Sequence, residues 1–422
     1  MKFNKTTLKN GLRVVTVPMT DNPSVTVLVL VEAGSKYETK DINGISHFLE
    51  HLTFKGTSKR PKAIDISREF DAMGAEHNAF TSQEYTGYYG KADAKRCDNL
   101  IEILADMYLN PLIDEKEMEK EKGVIIEEIR MYNDLPQHLA AYLFEEALYG
   151  DQPAGWKVIG TEENIRACTR DQVVKYREEH YKSNSTVVVV SGSFDETEIL
   201  SKVEDYFGKI SSGTSKSKLP VIEKQDKPTI KTLYKDTDQT HLVIGVRTFP
   251  VKDKRIPTLR VLSAVLGKGM SSRLFSKMRN ELGICYYINA SNDASTDHGE
   301  LAISAGVDNS RVKQGIEGIM TECKRLKDEL VSESELKKVK DYIAGRTMLG
   351  LETSDARADY CGFSEILKKE IDTPEESLKK VHAVTAEDVK KLANEIFTNE
   401  SLNMALVGKF KDGKEFEDYF KF

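Results

Sequence analysis

Near its N-terminus the chain reads Asn43-Gly44-Ile45-Ser46-His47-Phe48-Leu49-Glu50-His51-Leu52. The four large apolar residues of this stretch recur at intervals of three and four, which is the spacing of one helix face. We therefore predict a helix that begins after an N-cap at Asn43 and ends at Gly56, a residue that adopts left-handed backbone readily. On such a helix His47 and His51 lie one turn apart on the same face.

The spacing of the two histidines suits a single metal ion. Imidazoles four residues apart on a helix both reach one zinc ion at about 2.1 Å. Glu50 lies between them in the sequence, so its carboxylate reaches a water molecule on the same ion. This pattern indicates metal-assisted hydrolysis of peptide bonds. The competing interpretation is an amphipathic helix whose two histidines have structural roles, and these five residues alone leave both open.

Length and composition describe a soluble globular chain. Its 422 residues are too many for one ordinary core, so we expect at least two domains. The net charge is −7 and both signs are interspersed, which argues against a nucleic-acid partner. Apolar runs such as Val25–Val31 are much shorter than the roughly 20 residues of a membrane span.

The termini and cysteines indicate the compartment. The first residues lack the apolar segment of a secretory signal, so we expect a cytoplasmic protein that does not associate with membranes. Cysteines never occur as Cys-x-x-Cys, which favours free thiols in a reducing compartment over zinc ligands. The five cysteines are Cys97, Cys168, Cys285, Cys323 and Cys361.

A flexible segment near the midpoint divides the chain. Residues 211–218 are rich in Ser, Gly and Lys, and a polar run follows, so we predict a linker over 211–226. The predicted domains are residues 1–210, which carry the zinc site, and residues 227–422, which do not.

The two halves resemble each other. Both open with strand-like runs, and Asp93 and Arg96 have counterparts in Asp308 and Arg311, each pair preceding a helical pattern. Each half begins with strands and continues with helices, which predicts an α+β fold with two similar domains. The second-half counterpart of the histidine helix, residues 258–266, contains neither His nor Glu.

A catalytic zinc site needs a third protein ligand and an open position for water. On a helix, Glu121 and Glu128 share a face with Val124 and Ile125, where a carboxylate without a partner is costly to bury. We predict that Glu128 binds the metal and that Glu121 orients a ligand or the water. Glu127 remains a competing ligand, because the sequence does not fix the rotation of this helix to within one residue.

These motifs together resemble the pitrilysin-type inverzincin metallopeptidases, which include insulin-degrading enzyme and the mitochondrial processing peptidase. The resemblance covers nearly the whole chain. Ala75 and Cys285 depart from it, since the family usually has Gly and Ala at these positions. The segments that carry the resemblance are residues 8–14, 44–57, 74–81, 126–132 and 271–286.

The resemblance implies a fold and a metal site. Each domain is expected to be a mostly antiparallel sheet covered by helices, and the two domains to form half of a clamshell around a closed chamber. One Zn2+ per chain is expected on His47, His51 and Glu128. Glu50 is expected to act as general base on the zinc-bound water.

The resemblance also implies residues that contact substrate. Asn78, Ala79 and Phe80 are expected to lie in an edge strand to which a peptide adds by β-augmentation. Arg279 and Tyr286 match a pair that contacts the substrate backbone, so we include them, with Glu50 and Glu121, among the catalytic residues.

The expected function is that of a zinc-dependent endopeptidase that hydrolyses unstructured peptides or small polypeptides. Half-length members of this family form dimers, so we expect a homodimer. The alternative is a heterodimer with an inactive homologue. Two other functions stay open: a non-catalytic scaffold or processing-complex subunit of the same fold, and a structural zinc protein.

Overall fold

The computed structural model describes residues 1–213 and 215–422. Thr214, which belongs to the predicted linker 211–226, lies outside the described residues. The described chain forms two compact units, and each contains one sheet. The first unit comprises Met1–Ile129, Lys157–Leu219 and Met348–Thr373. The second comprises Arg130–Trp156, Pro220–Thr347 and Pro374–Phe422.

The first sheet has six strands. These are β1 (Asn4–Thr7), β2 (Arg13–Pro18), β3 (Ser24–Val31), β4 (Glu76–Thr81), β5 (Thr86–Asp93) and β6 (Thr186–Gly192). Their spatial order is β1-β2-β6-β3-β5-β4. β2 and β6 are parallel, and the other neighbours are antiparallel. β4 therefore lies at one edge, paired with β5.

The second sheet repeats this topology with five strands. These are β7 (Thr229–Tyr234), β8 (Gln239–Thr248), β9 (Cys285–Ala294), β10 (Gly299–Asp308) and β11 (Asn403–Gly408). Their order is β7-β11-β8-β10-β9, with β7 and β11 parallel. It matches the order of β2 to β6 strand for strand, so the prediction of two similar α+β domains is confirmed.

Helices follow the strands in both halves. In the first half they are α1 (Ile45–Thr53), α2 (Ala63–Met73), α3 (Cys97–Leu109), α4 (Glu115–Asp134), α5 (Pro136–Tyr149), α6 (Glu162–Ala167), α7 (Arg170–His180) and α8 (Glu196–Phe207). In the second half they are α9 (Ile256–Gly267), α10 (Val312–Asp328), α11 (Glu333–Leu349), α12 (Ser354–Lys368), α13 (Pro374–His382) and α14 (Ala386–Ile396). Within the described ranges, none of these helices has the length and apolar character needed to cross a bilayer.

The repeat extends to the turn after the fourth strand of each repeat. Asp93 accepts a hydrogen bond from the Lys95 backbone N–H, and Asp308 accepts one from the Ser310 backbone N–H. Each aspartate thereby caps a short 3-10 turn that leads into α3 or α10. The correspondence of Asp93 with Asp308 is therefore a structural one.

Two helices are exchanged between the halves of the sequence. α5 belongs to the second unit, where Phe144 packs with Val243 and Ala302 of the second sheet. α12 belongs to the first unit, where Cys361 packs with residues of the first sheet that include Leu28. The predicted bounds 1–210 and 227–422 therefore differ from the compact units in these two segments. The reason is that each sheet covers one face with a helix from the other half of the chain.

Candidate metal centre

The start of α1 differs from the predicted one. The residue before the helix is Gly44, with φ of 102°, and Asn43 makes no cap. The Glu38 carboxylate instead accepts hydrogen bonds from the backbone N–H groups of Gly44 and Ser46, both at 2.8 Å. A carboxylate there satisfies N–H groups that have no partner within the helix and interacts favourably with its dipole. The prediction of an Asn43 cap was therefore wrong.

The helix also ends earlier than predicted. Its last residue is Thr53, whose hydroxyl donates to the Leu49 carbonyl at 2.9 Å. Gly56 lies three residues further on, with φ of 138°. A side chain there would place its Cβ 2.7 Å from the Pro61 carbonyl oxygen. Gly56 therefore permits a close approach in the following loop and does not end the helix.

That loop is fixed to α3 by buried polar groups. Thr57 Oγ1 donates to Asp106 Oδ2 at 2.5 Å, and Arg60 Nη1 donates to the same oxygen at 2.7 Å. Arg60 also pairs with Glu102 and Glu69. Arg60 is only 3% exposed, so these ion pairs are shielded from water. They anchor the loop that follows α1 and thereby the C-terminal end of that helix.

The predicted apolar stripe of α1 is confirmed. Ile45, Phe48, Leu49 and Leu52 are all buried. The side chains of His47 and His51 flank this stripe and are 12% and 20% exposed. The packing therefore fixes the helix in the rotation that presents both imidazoles to α4.

Three side chains meet at the spacing of ligands on one cation. Glu128 Oε2 lies 3.7 Å from His47 Nε2 and 3.5 Å from His51 Nε2. These distances are too long for hydrogen bonds. They match the separation of about 3.4 Å between two ligands of a tetrahedral zinc ion with bonds of about 2.1 Å. In the described part of the chain, no other three His, Cys, Asp or Glu side chains form such a group.

Protonation of the imidazoles suits a metal. Burial and the neighbouring His51 lower the pKa of His47 to about 3, so this ring is neutral. Its Nδ1 atom is buried and has no hydrogen-bond partner among the described residues. Burial also lowers the pKa of His51, but Glu121 and the other nearby carboxylates outweigh this effect and raise it. The carboxylates that favour a proton on His51 would equally favour a divalent cation in its place.

Glu121 is hydrogen-bonded to His51. Its Oε1 lies 2.8 Å from His51 Nδ1, and its Oε2 lies 2.6 Å from Lys55 Nζ. Burial raises the pKa of this 4%-exposed carboxyl, but the bonds to His51 and Lys55 outweigh burial and hold it below normal. A charged Glu121 accepts a hydrogen bond from the Nδ1–H group of His51, which leaves Nε2 available to a metal. The part played by Lys55 was not predicted, although the residue lies one turn after His51.

The structure separates Glu128 from its competitor. α4 buries Glu121, Ile125 and Ile129, and this rotation brings Glu128 to the imidazoles while Glu127 is exposed. The predicted face also included Val124, but Val124 is 52% exposed. The buried stripe is thus displaced from the predicted one, which is why the sequence left the two glutamates undecided.

Glu50 lies close to His51 and Glu128 but does not belong to the group that these two residues form with His47. Its carboxylate accepts a hydrogen bond from Thr81 Oγ1 at 2.6 Å. Burial raises the pKa of Glu50, and the bond from Thr81 opposes this shift. Thr81, at the end of β4, is a site residue whose role was not predicted, because the pairing of strand and helix is a tertiary contact.

The predicted substrate strand is an edge strand. β4 contains Asn78, Ala79 and Phe80, and the Ala79 N–H donates to the Asn78 side-chain oxygen at 2.9 Å. Thr81 points toward Glu50, so by alternation Phe80 points to the opposite face, where its ring lies 5.8 Å from that of Phe363. The contact of these residues with substrate stays a prediction.

The Arg/Tyr pair forms within the second unit. Arg279 lies in a π-helical segment, Phe275–Glu281, and Tyr286 lies in β9 at the sheet edge. Arg279 Nη1 donates to the Tyr286 carbonyl at 2.6 Å, and its guanidinium lies 4.9 Å from the centre of the Tyr286 ring. Tyr286 is 72% exposed. The pair exists as expected, and its action on substrate stays a prediction.

Comparison with known proteins identifies the family. Residues 13–162 match the family model described as insulinase (peptidase family M16), and residues 167–343 match the M16 inactive domain. YmxG of Bacillus subtilis, which is named an uncharacterized zinc protease, is 36% identical, over 95% of this chain and 97% of its own length. A zinc protease of Mycobacterium leprae is 33% identical, over 97% of this chain and 92% of its own length.

Solved structures share the fold. A protease from Helicobacter pylori superposes with a TM-score of 0.90 at 24% identity, covering 96% of this chain and 99% of that one. A chain of complex III from Candida albicans gives 0.86 at 18% identity, covering 99% of this chain and 100% of that one. The names of the sequence relatives support a zinc protease in general, and this chain belongs to the M16, or insulinase, family of peptidases.

Proposed function

We propose that the protein is a zinc-dependent endopeptidase that hydrolyses unstructured peptides or small polypeptides, with one Zn2+ per chain. One observation carries this proposal: a buried carboxylate, Glu50, adjoins a three-ligand group without joining it. A purely structural zinc site is closed by four protein ligands, whereas a catalytic site keeps a position for water. Three ligands and a separate carboxylate fit the catalytic kind.

In this proposal His47, His51 and Glu128 hold the zinc. The ion, when bound, polarises the scissile carbonyl and lowers the pKa of water. Glu50 accepts the proton of the attacking water and delivers it to the amine that leaves. Thr81 holds the Glu50 carboxylate in place, and Glu121 with Lys55 holds His51.

The substrate is an extended peptide. The described residues place no strand on the outer side of β4, so its outer edge can pair with such a chain, with the Ala79 N–H exchanging its bond to the Asn78 side chain for one to the peptide. Backbone pairing is largely indifferent to side chains. We propose that Asn78, Ala79 and Phe80 pair with the peptide. We also propose that Arg279 and Tyr286 bind its carbonyl groups.

We further propose that the chain acts as a homodimer, with a heterodimer containing an inactive homologue as the alternative. Size-exclusion chromatography with light scattering on the purified chain decides between a self-sufficient dimer and a monomer that needs a partner.

Glu50→Gln tests the function. Loss of general-base assistance slows hydrolysis by about 10²- to 10⁴-fold. A quenched peptide library measures turnover, and metal analysis should show the same zinc content in variant and wild type. Glu127→Gln on the exposed side of α4 is the control and should retain full activity. A wild-type protein that holds zinc but cleaves no peptide would instead support the scaffold.

A further inference from the structure

A cavity of about 300 Å³ lies within the first unit between α12 and the first sheet. It occupies the sheet face opposite to Thr81 and Glu50, because Phe80 precedes Thr81 and adjacent strand residues point to opposite faces. Its lining residues come from β3, β4, β5 and α12. They are Thr26, Phe80, Tyr89, Asp355, Asp359 and Phe363.

Aromatic rings form much of the wall. The Phe80 ring centre lies 5.8 Å from that of Phe363 and 6.5 Å from that of Tyr89. The faces of such rings attract cations, and their carbon surface packs against the methylene groups of long side chains. The wall therefore suits a side chain with an apolar stem and a positive head.

The charge of the cavity favours the same kind of side chain. Asp355 and Asp359 lie one turn apart on α12, and Lys91 Nζ lies 2.9 Å from Asp355 Oδ1. The Asp359 carboxylate has no hydrogen bond or ion pair within residues 1–213 and 215–422. Burial and the charge of Asp355 raise the pKa of Asp359 to about 6, so it is mostly ionised at neutral pH. Lys91 neutralises Asp355, so the charge of the Asp359 carboxylate is not balanced by a positive side chain of the described residues.

The position of the cavity relates it to the peptide. Phe80 belongs to the edge strand β4, and a chain paired with β4 sends alternate side chains to the α12 face. We propose that this cavity is a subsite that binds a lysine or arginine side chain of the peptide substrate. This inference rests on the proposed endopeptidase function and on pairing of the peptide with β4.

The test uses quenched peptides of one sequence in which lysine, arginine, norleucine or glutamate is placed at each position in turn. For the wild-type chain we expect one position at which lysine and arginine give a kcat/KM on the order of tenfold above norleucine. Asp359→Asn should remove this preference while the norleucine peptide is cleaved at the wild-type rate. Asp71→Asn, at an exposed aspartate of α2, is the matched control and should keep the preference.

A charge reversal strengthens the test. Asp359→Lys should transfer the preference at that same position from lysine to glutamate, a result that general destabilisation does not produce. Equal cleavage of lysine and norleucine peptides at every position would overturn the subsite and leave the endopeptidase function intact. So would an unchanged lysine preference in Asp359→Asn. Failure to cleave any peptide would overturn the proposed function and the subsite with it.

Discussion

Glu121 Oε1 lies 2.8 Å from His51 Nδ1, so a buried carboxylate fixes which nitrogen of His51 faces His47 and Glu128. The second oxygen of Glu121 is paired with Lys55 at 2.6 Å. Lys55, Glu121 and His51 thus form a chain of contacts that ends at a proposed zinc ligand. Partners of this kind keep the imidazole oriented and increase its basicity.

Glu121→Gln should weaken zinc binding. The amide keeps the shape of the side chain but loses the charge that His51 and Lys55 share, and the loss of such a partner raises the zinc dissociation constant by about 10- to 100-fold. Competition with a chromophoric chelator measures the constant. Lys55→Met should have a smaller effect in the same direction, whereas Lys59→Met, at a more exposed lysine of the same loop, should have none. Equal constants for Glu121→Gln and wild type would contradict this role.

Much of this centre was predictable from local pattern. The spacing of Ile45, Phe48, Leu49 and Leu52 predicts the helix and its buried side, and the spacing of His47 and His51 predicts a shared ion. The start of α1 was not predictable, because its N–H groups are capped by Glu38, which lies in the turn before the helix. A carboxylate that acts across several residues leaves no signature at the N-cap position itself.

The choice between Glu127 and Glu128 required tertiary packing. Both lie in a Glu- and Lys-rich helix whose apolar residues allow more than one rotation. In the structure Ile125 and Ile129 are buried while Val124 is exposed, and this rotation brings Glu128 to the imidazoles. The exchange of α5 and α12 could not be predicted from the sequence either, because the apolar face of a helix does not indicate which of the two sheets it packs against.

Thr81→Val should slow hydrolysis without releasing the metal. Valine has nearly the shape of threonine but cannot donate to Glu50 Oε2, and a mobile general base loses about ten- to hundredfold in rate. Steady-state kinetics should show the loss in kcat, with KM and zinc content unchanged. Thr81→Ser, which keeps the hydroxyl, should retain most of the activity. A serine variant as slow as the valine variant would show that the methyl group matters and the hydrogen bond does not.

Arg60→Met should destabilise the first unit most strongly at neutral pH. Burial raises the pKa values of Glu102 and Asp106, but their hydrogen bonds and the charge of Arg60 outweigh it and hold both below normal. Lowered folded-state values stabilise the protein above the unfolded pKa of about 4, and this contribution is lost as the pH falls through the folded values. Removing a buried ionic partner costs about 3–5 kcal/mol.

Urea unfolding measures this effect. The difference in free energy of unfolding between wild type and Arg60→Met should be largest at neutral pH and should shrink below about pH 4. Arg68→Met, at an exposed arginine of α2, should change little at either pH. A difference that grows on acidification would show that the carboxylates are not stabilised by Arg60.

In the proposed zinc site Glu128, and not its neighbour Glu127, is the third ligand beside His47 and His51. The zinc content and zinc affinity of Glu128→Gln and Glu127→Gln, measured on the full chain after dialysis, distinguish the two glutamates. We expect one zinc per chain in wild type and Glu127→Gln, and a greatly reduced affinity in Glu128→Gln. Equal zinc binding by the two variants would show that Glu128 is not the third ligand.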